Sequence, residues 1–241
     1  MVEPLQVAGR RTWLKQHDGA RRRIALGALD LGVRLLGLRC LRPPPRLAAE
    51  DACRLERRRL RELAAHGVPV PRILGHGETT LLLEDGGPSL AHCLRQADPQ
   101  RAEQLMRQAA GELLRVHRAG CCVGQPLARN ITIDDQGRVR FLDLEEDPLQ
   151  VMGLAQAQAR DWLLFASGSV RHARLPHATL AAVIGPCLRQ TDADVQRQLR
   201  AALYRLRFLP ALCRLGGHRA RGLGDSVRVL RSALGGLPAP A

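Results

Sequence analysis

The sequence predicts an α+β fold in two parts, a small strand-bearing part over residues 1–87 and a mainly helical part over 88–241. Three observations carry that expectation. Short apolar runs bounded by turn residues, the signature of strands, recur before position 88. Helix-period patterns dominate after it. Between them Asp85-Gly86-Gly87-Pro88 reads as a hinge or linker, because Gly and Pro interrupt both kinds of regular element.

In chain order, Leu5 to Val7 and Thr12 to Lys15 read as a small hairpin joined by Ala8-Gly9-Arg10-Arg11. Residues 20–42 are apolar nearly all round a helical wheel, except for a narrow stripe of Arg23, Gly27, Asp30 and Arg34. Charge interrupts the span and leaves no uninterrupted apolar run long enough for a membrane-crossing helix. Two readings stand: an Arg-flanked amphipathic helix lying on an acidic membrane surface, or a helix packed on its own part. Pro43-Pro44-Pro45 then forces an extended break.

Leu47 to His66 has a helical pattern, with Gly67 as C-cap and Val68-Pro69-Val70-Pro71 preventing continuation. Ala49, Ala52, Cys53, Leu60 and Leu63 share one arc of its wheel, and Glu56 falls in the middle. A carboxylate on an apolar face needs a cation or donors, since burying it alone is expensive. Arg59 at the edge of the arc could supply one locally, and Lys15 could do so across the fold. Strands are expected at Arg72 to Leu74 and Thr80 to Glu84. Helices follow at 89–96 and at 99–119, the latter with Asp98 as N-cap, Pro99 in the first turn and Gly120 as C-cap. Further helices are expected at 149–167, 176–189, 192–209 and 224–234, with a frayed tail from Gly235.

The stretch Val123 to Pro148, VGQPLARNITIDDQGRVRFLDLEEDP, is the centre of the chain. Ile131 to Ile133 and Val139 to Leu142 flank Asp135-Gln136-Gly137, and Gly in the last place suits a three-residue loop closed by a left-handed residue. That loop sets Ile131 opposite Phe141 and Ile133 opposite Val139 on a core face, with Thr132 opposite Arg140 and Asp134 opposite Arg138 on a solvent face. Asn130 and Asp143 then meet at one end, about 5 to 8 Å apart. An amide oxygen and a carboxylate so placed, with Glu145, Glu146 and Asp147 beyond, could hold a hard divalent cation. The plainer alternative is a polar hairpin end in solvent.

Composition narrows the classes. With 241 residues and 45% hydrophobic content the chain can bury a substantial core. Its net charge of +14 points to anionic partners, whether phosphates, nucleic acid or an acidic membrane. Two Trp, one Tyr and three Phe are too few for the stacking platforms of single-stranded nucleic-acid binders. Arginines spread through every segment, with no recognised binding motif, also argue against nucleic acid as a partner. Seven cysteines show no CxxC spacing and are odd in number, so neither a zinc site nor a full disulfide framework is indicated, and a reduced cytoplasmic setting is expected. Lys15 is the only lysine among 37 basic residues. Keeping one compact ammonium in an arginine-rich chain marks that position, because the two cations are not interchangeable.

The order of these parts resembles that of protein-kinase-like folds over about residues 10–165. A strand bears Lys15, a helix bears an inward Glu56, a hinge runs from Glu84 to Pro88, a helix ends in His117-Arg118-Ala119-Gly120, and Asn130 and Asp143 follow. The phrases ERRRLRELAAHGVPVP, from Glu56, and FLDLEEDP, from Phe141, are similar to those of bacterial lipopolysaccharide-core kinases. The resemblance implies a two-lobed kinase-like fold with ATP and Mg2+ as cofactors and a lipopolysaccharide or other anionic, lipid-linked sugar as substrate. It implies that Lys15 contacts nucleotide phosphates and pairs with Glu56, that Asn130 and Asp143 hold magnesium, and that Glu84, Asp85 and Gly86 line the adenine site. Asp161, in ARDWLLF, resembles the buried aspartate that steadies the catalytic loop.

Two departures from that pattern matter. No GxGxxG precedes the lysine strand, where only Gly9 is present. Gln125 stands at the place of the catalytic aspartate, five residues before Asn130. Losing a general base costs on the order of 10²- to 10⁴-fold, yet phosphoryl transfer relies largely on positioning and charge. Glu145 or Glu146 is a conceivable substitute. The expectation is therefore a phosphotransferase of weak activity, with a pseudokinase that binds nucleotide or a partner without transfer as the alternative.

Overall fold

The computed structural model describes residues 1–17, 37–45, 47–215 and 218–235. Most of the expected helix at 20–42 lies outside the described residues; at its end a turn at Gly37 leads into a short 3-10 turn at Arg39–Leu41. The tail beyond Gly235 also lies outside them. Among the described residues no helix is long and apolar enough to cross a membrane.

Strands β1 (Val2–Val7), β2 (Arg10–Gln16), β3 (Ile73–His76) and β4 (Thr80–Glu84) form one antiparallel sheet in the order β1-β2-β4-β3. The first hairpin is longer and tighter than the sequence predicts. Val7 pairs with Arg10, so the loop is Ala8-Gly9 alone, and both residues have positive φ, 49° and 73°. Two successive left-handed residues match the twist of the flanking strands. Helix α1 (Ala49–Ala65) buries Cys53, Glu56, Arg59, Leu60 and Leu63, and the chain turns at Gly67 with φ 71°.

Beyond residues 85–88 the described chain is mainly helical, with one hairpin. Helices α2 (Leu90–Gln96) and α3 (Pro99–Arg118) begin at side-chain caps: Ser89 Oγ accepts from His92 N at 3.3 Å and Asp98 Oδ1 from Arg101 N at 2.7 Å. Strands β5 (Ile131–Ile133) and β6 (Val139–Phe141) pair in the predicted register, closed by Gly137 at φ 76°. Their second face is not solvent, however. Thr132 is buried because the hinge lies across it, with Pro88 O accepting from Ile133 N at 3.1 Å and Ser89 bridging to Thr132.

The core helix is α4 (Leu154–Ala173), which carries the fully buried Trp162 and Phe165. It starts and ends later than the pattern predicts. Asp147 caps a 3-10 turn at Pro148–Gln150 first, and the helix runs through Gly168 because the loop before β5 packs there: a Cβ on Gly168 would lie 2.9 Å from Ala128 N and Leu127 Cα. Helices α5 (His177–Arg189), α6 (Ala193–Arg205), α7 (Leu209–Leu212) and α8 (His218–Ala233) complete this part, with α4 packed against α8, α6 and α2. The single helix expected over 192–209 is broken. Its end turns where Arg207 stacks over Tyr204 and Phe208, with ring centroids at 4.2 and 4.5 Å, and Pro210 opens α7. α8 begins earlier than expected, since its glycines admit close neighbours; a Cβ on Gly224 would lie 3.1 Å from Pro210 Cα.

Candidate functional site

Alternation along β2 turns Arg11, Trp13 and Lys15 toward one cleft of about 660 Å³, whose other walls include Glu56, the hinge 84–88, Asn130, Leu142 and Asp143. Trp13, Pro71, Leu83 and Leu142 supply apolar wall, and Lys15, Glu56 and Asp143 gather at a charged end.

At that charged end Lys15 Nζ lies 3.0 Å from Glu56 Oε1, 2.5 Å from Asp143 Oδ1 and 3.5 Å from Glu145 Oε2. Glu56 is fully buried and fully used: Oε1 also accepts from Leu144 N at 3.2 Å, and Oε2 lies 2.6 Å from His17 Nε2. The other nitrogen of His17 faces Thr79 O at 3.1 Å, so both contacts are hydrogen bonds only if the ring carries both protons or the carboxyl carries one. Burial would raise the Glu56 carboxyl, but the hydrogen bonds from His17 and Lys15 outweigh it and hold it below the usual carboxylate range. Burial would likewise lower the Lys15 ammonium, and Glu56, Asp143 and Glu145 together raise it above its ordinary value. Glu145 moves the opposite way to Glu56, raised by burial and by Asp143 and Glu56 despite Lys15.

Asp143 holds φ at 60°, a left-handed conformation that costs a non-glycine residue about 1 kcal/mol or more. That backbone turn aims its carboxylate back at Lys15 and Asn130. Asn130 Nδ2 donates to Asp143 Oδ2 at 3.2 Å and to Gln125 O at 3.1 Å. With the nitrogen so committed, the amide oxygen is left as a ligand atom. The pair therefore fits a hard cation that takes the rest of its oxygens from phosphates and water. His17, Glu56 and Glu145 also bring donor atoms within 4.8 Å of one another, but Glu56 is fully buried with both oxygens already bonded, whereas Asp143, although it also meets Lys15, keeps a side open to the cleft.

The loop before Gln125 is clamped from both sides. Asp161, fully buried on α4, accepts from Val123 N at 2.7 Å, Gly124 N at 2.8 Å and His117 Nε2 at 3.1 Å. Arg59 donates to Cys122 O at 2.8 Å, Val123 O at 3.1 Å and Glu146 O, and Arg160 donates to Gly124 O. Lys15, not Arg59, thus answers Glu56, and Arg59 instead ties α1 to the loop. A side chain at Gly124, φ 96°, would meet Glu146 O at 3.0 Å and Arg59 at 3.1 Å.

At the hinge, Glu84 pairs outward with Arg72 at 3.1 Å, and the Asp85 carboxylate accepts from Trp13 Nε1 at 2.9 Å and Gly87 N at 3.1 Å. Gly86 lines the cleft with them. The Gln125 side chain makes no hydrogen bond among the described residues. Glu146 is committed to Arg160 at 2.7 Å, which removes it as a stand-in base. The Ala8-Gly9 turn is six residues from Lys15, about 20 Å along an extended strand, so Gly9 does not cover the charged end.

Trp13 and Arg129, which also line the cleft, escaped the sequence reading. The period of two that places Trp13 beside Lys15 was a usable signal; nothing in the sequence marked Arg129. All seven cysteines are free, and burial pushes the thiols of Cys40 and Cys122 up to about 11 and about 12. Neither a protein-family model nor a curated protein sequence matches the chain.

Proposed function

We propose that the protein is a two-lobed, kinase-like phosphotransferase that binds Mg·ATP in this cleft and transfers the terminal phosphate, slowly, to a lipopolysaccharide or other envelope-linked sugar. The observation that carries the reading is the single lysine held between Glu56 and Asp143 in a cleft bounded by a hinge. Lys15 would meet nucleotide phosphates, Asn130 and Asp143 would hold magnesium, and the base would lie between the hinge and the apolar walls. Magnesium would supply neutralisation of the phosphate charge, the main demand of this chemistry. In the transfer an acceptor hydroxyl oxygen bonds to the terminal phosphorus as the bond to ADP breaks, and its proton leaves to water, since Gln125 offers no carboxylate and Glu145 and Glu146 are engaged by Lys15 and Arg160.

Gln125 favours a second reading, a nucleotide-binding protein without transfer. Titration calorimetry with Mg·ATP and phosphate transfer to extracted envelope lipids separates the two. The enzyme reading expects magnesium-dependent binding and slow transfer, both lost in Asp143→Ala. Binding without transfer would support the second reading, and no magnesium-dependent nucleotide binding would sink both.

A further inference from the structure

Beside the cleft lies a second cavity of about 240 Å³, lined by Leu127, Ala128, Arg129, Ser167, Gly168, Arg171, His172 and Leu223. Arg129 lines both spaces and immediately precedes Asn130, so the two adjoin across one residue of the loop. Among the described residues the cavity's walls contain two arginines and a histidine but no carboxylate. Elsewhere arginines such as Arg72, Arg115, Arg138 and Arg160 are paired with acids within 3.1 Å. Among the described residues Arg129 makes no hydrogen bond or ion pair, and the only polar contact of Arg171 is with His172.

That contact fixes the histidine. Arg171 Nε donates to His172 Nε2 at 3.2 Å, so Nε2 is an acceptor and the ring proton sits on Nδ1. Burial, with the guanidinia of Arg171 and Arg95 nearby, holds His172 below its ordinary value, in keeping with a neutral ring. Two guanidinium groups without counter-charges leave a local positive potential that an anion can satisfy. Guanidinia favour phosphate because their paired N–H groups match its oxygens and its double charge. At about 30 Å³ per water the cavity has room for roughly eight waters, enough for a phosphate and part of a sugar.

We propose that this cavity binds a phosphate group already present on the acceptor, through Arg129 and Arg171, and so orients an acceptor hydroxyl toward the cleft. The acceptor class is then a phosphorylated sugar, free or carried on a lipid. The acceptor role rests on the phosphotransferase reading; the anion site does not.

The test uses the full chain without nucleotide. Glucose 6-phosphate is titrated against glucose as control, and vesicles of phosphatidylcholine with and without phosphatidic acid form a second arm. Wild type is expected to bind at least one phosphate probe over its neutral counterpart. Arg171→Ala, at an exposed position, should weaken that binding by about tenfold or more, the loss of a charge-assisted contact. Arg171→Lys should recover part of it, and Mg·ATP binding should be unchanged in both variants. Sugar-phosphate binding points to a soluble source, and binding only to phosphatidic acid vesicles to a lipid-borne one; either supports the site if Arg171→Ala weakens it. No preference for phosphate in either arm, or a preference indifferent to Arg171→Ala, overturns the proposal even if Mg·ATP binds. Phosphate binding that depends on Arg171 in a protein that fails to bind Mg·ATP overturns the acceptor role and leaves an anion site.

Discussion

Lys15 Nζ and Glu56 Oε2 lie 2.9 Å apart with the carboxylate fully buried, joining β2 to α1 across 41 residues. Removing one member of a buried pair costs about 3 to 5 kcal/mol when the charge left behind has no other partner. Lys15 would keep Asp143 and Glu145 as counter-charges, so Glu56→Gln should destabilise the protein at neutral pH by less, about 1 to 3 kcal/mol, in chemical denaturation. Because the folded Glu56 carboxyl sits below its ordinary value, its stabilisation is present above that ordinary value and lost as pH falls through the lower folded one. Wild type should therefore lose stability on acidification in that window, and Glu56→Gln should lose less. Glu145, shifted upward, contributes with the opposite sign. An equal acid slope in the two proteins would remove Glu56 as the source.

Backbone strain at Asp143 gives a second measurement. Glycine accepts φ 60° freely and alanine does not, so Asp143→Gly should be more stable than Asp143→Ala by about 1 kcal/mol. Both should lose magnesium-dependent nucleotide binding. Equal melting temperatures would mean the left-handed turn is not retained in the variants.

Trp13 offers an optical probe. It lines the cleft and donates to Asp85, whereas Trp162 is wholly buried in the helical core. Adding a non-hydrolysable ATP analogue with magnesium should change tryptophan emission in wild type, and Trp13→Phe should abolish the change. A response that survives in Trp13→Phe would place the ligand elsewhere.

Gln125→Asp tests the proposed transfer, in which no carboxylate stands at position 125. Asn130 holds the Gln125 carbonyl at 3.1 Å, so the substitution should leave the loop in place. A carboxylate at this position should raise transfer by on the order of 10²-fold if wild type is a slow enzyme. Unchanged turnover in a protein that still binds Mg·ATP would mean that another missing part, such as the phosphate-covering loop, sets the rate.

What the sequence determined by itself is local. The β5–β6 register follows from a three-residue loop ending in Gly137, and α3 begins where Asp98 and Pro99 say it must, because turns and caps are decided by neighbours in the chain. Lys15 and Glu56 were legible as residues in need of a partner, one by its rarity and the other by its place on an apolar face. The tertiary structure alone decided which partner each took. It assigned Arg59 to the loop carbonyls rather than to Glu56, buried Thr132 beneath the hinge, committed Glu146 to Arg160, and set Arg129 between two cavities. These outcomes depend on which surfaces meet across tens of residues. A polar side chain that can satisfy itself in several ways is fixed only once burial removes water as the competing partner.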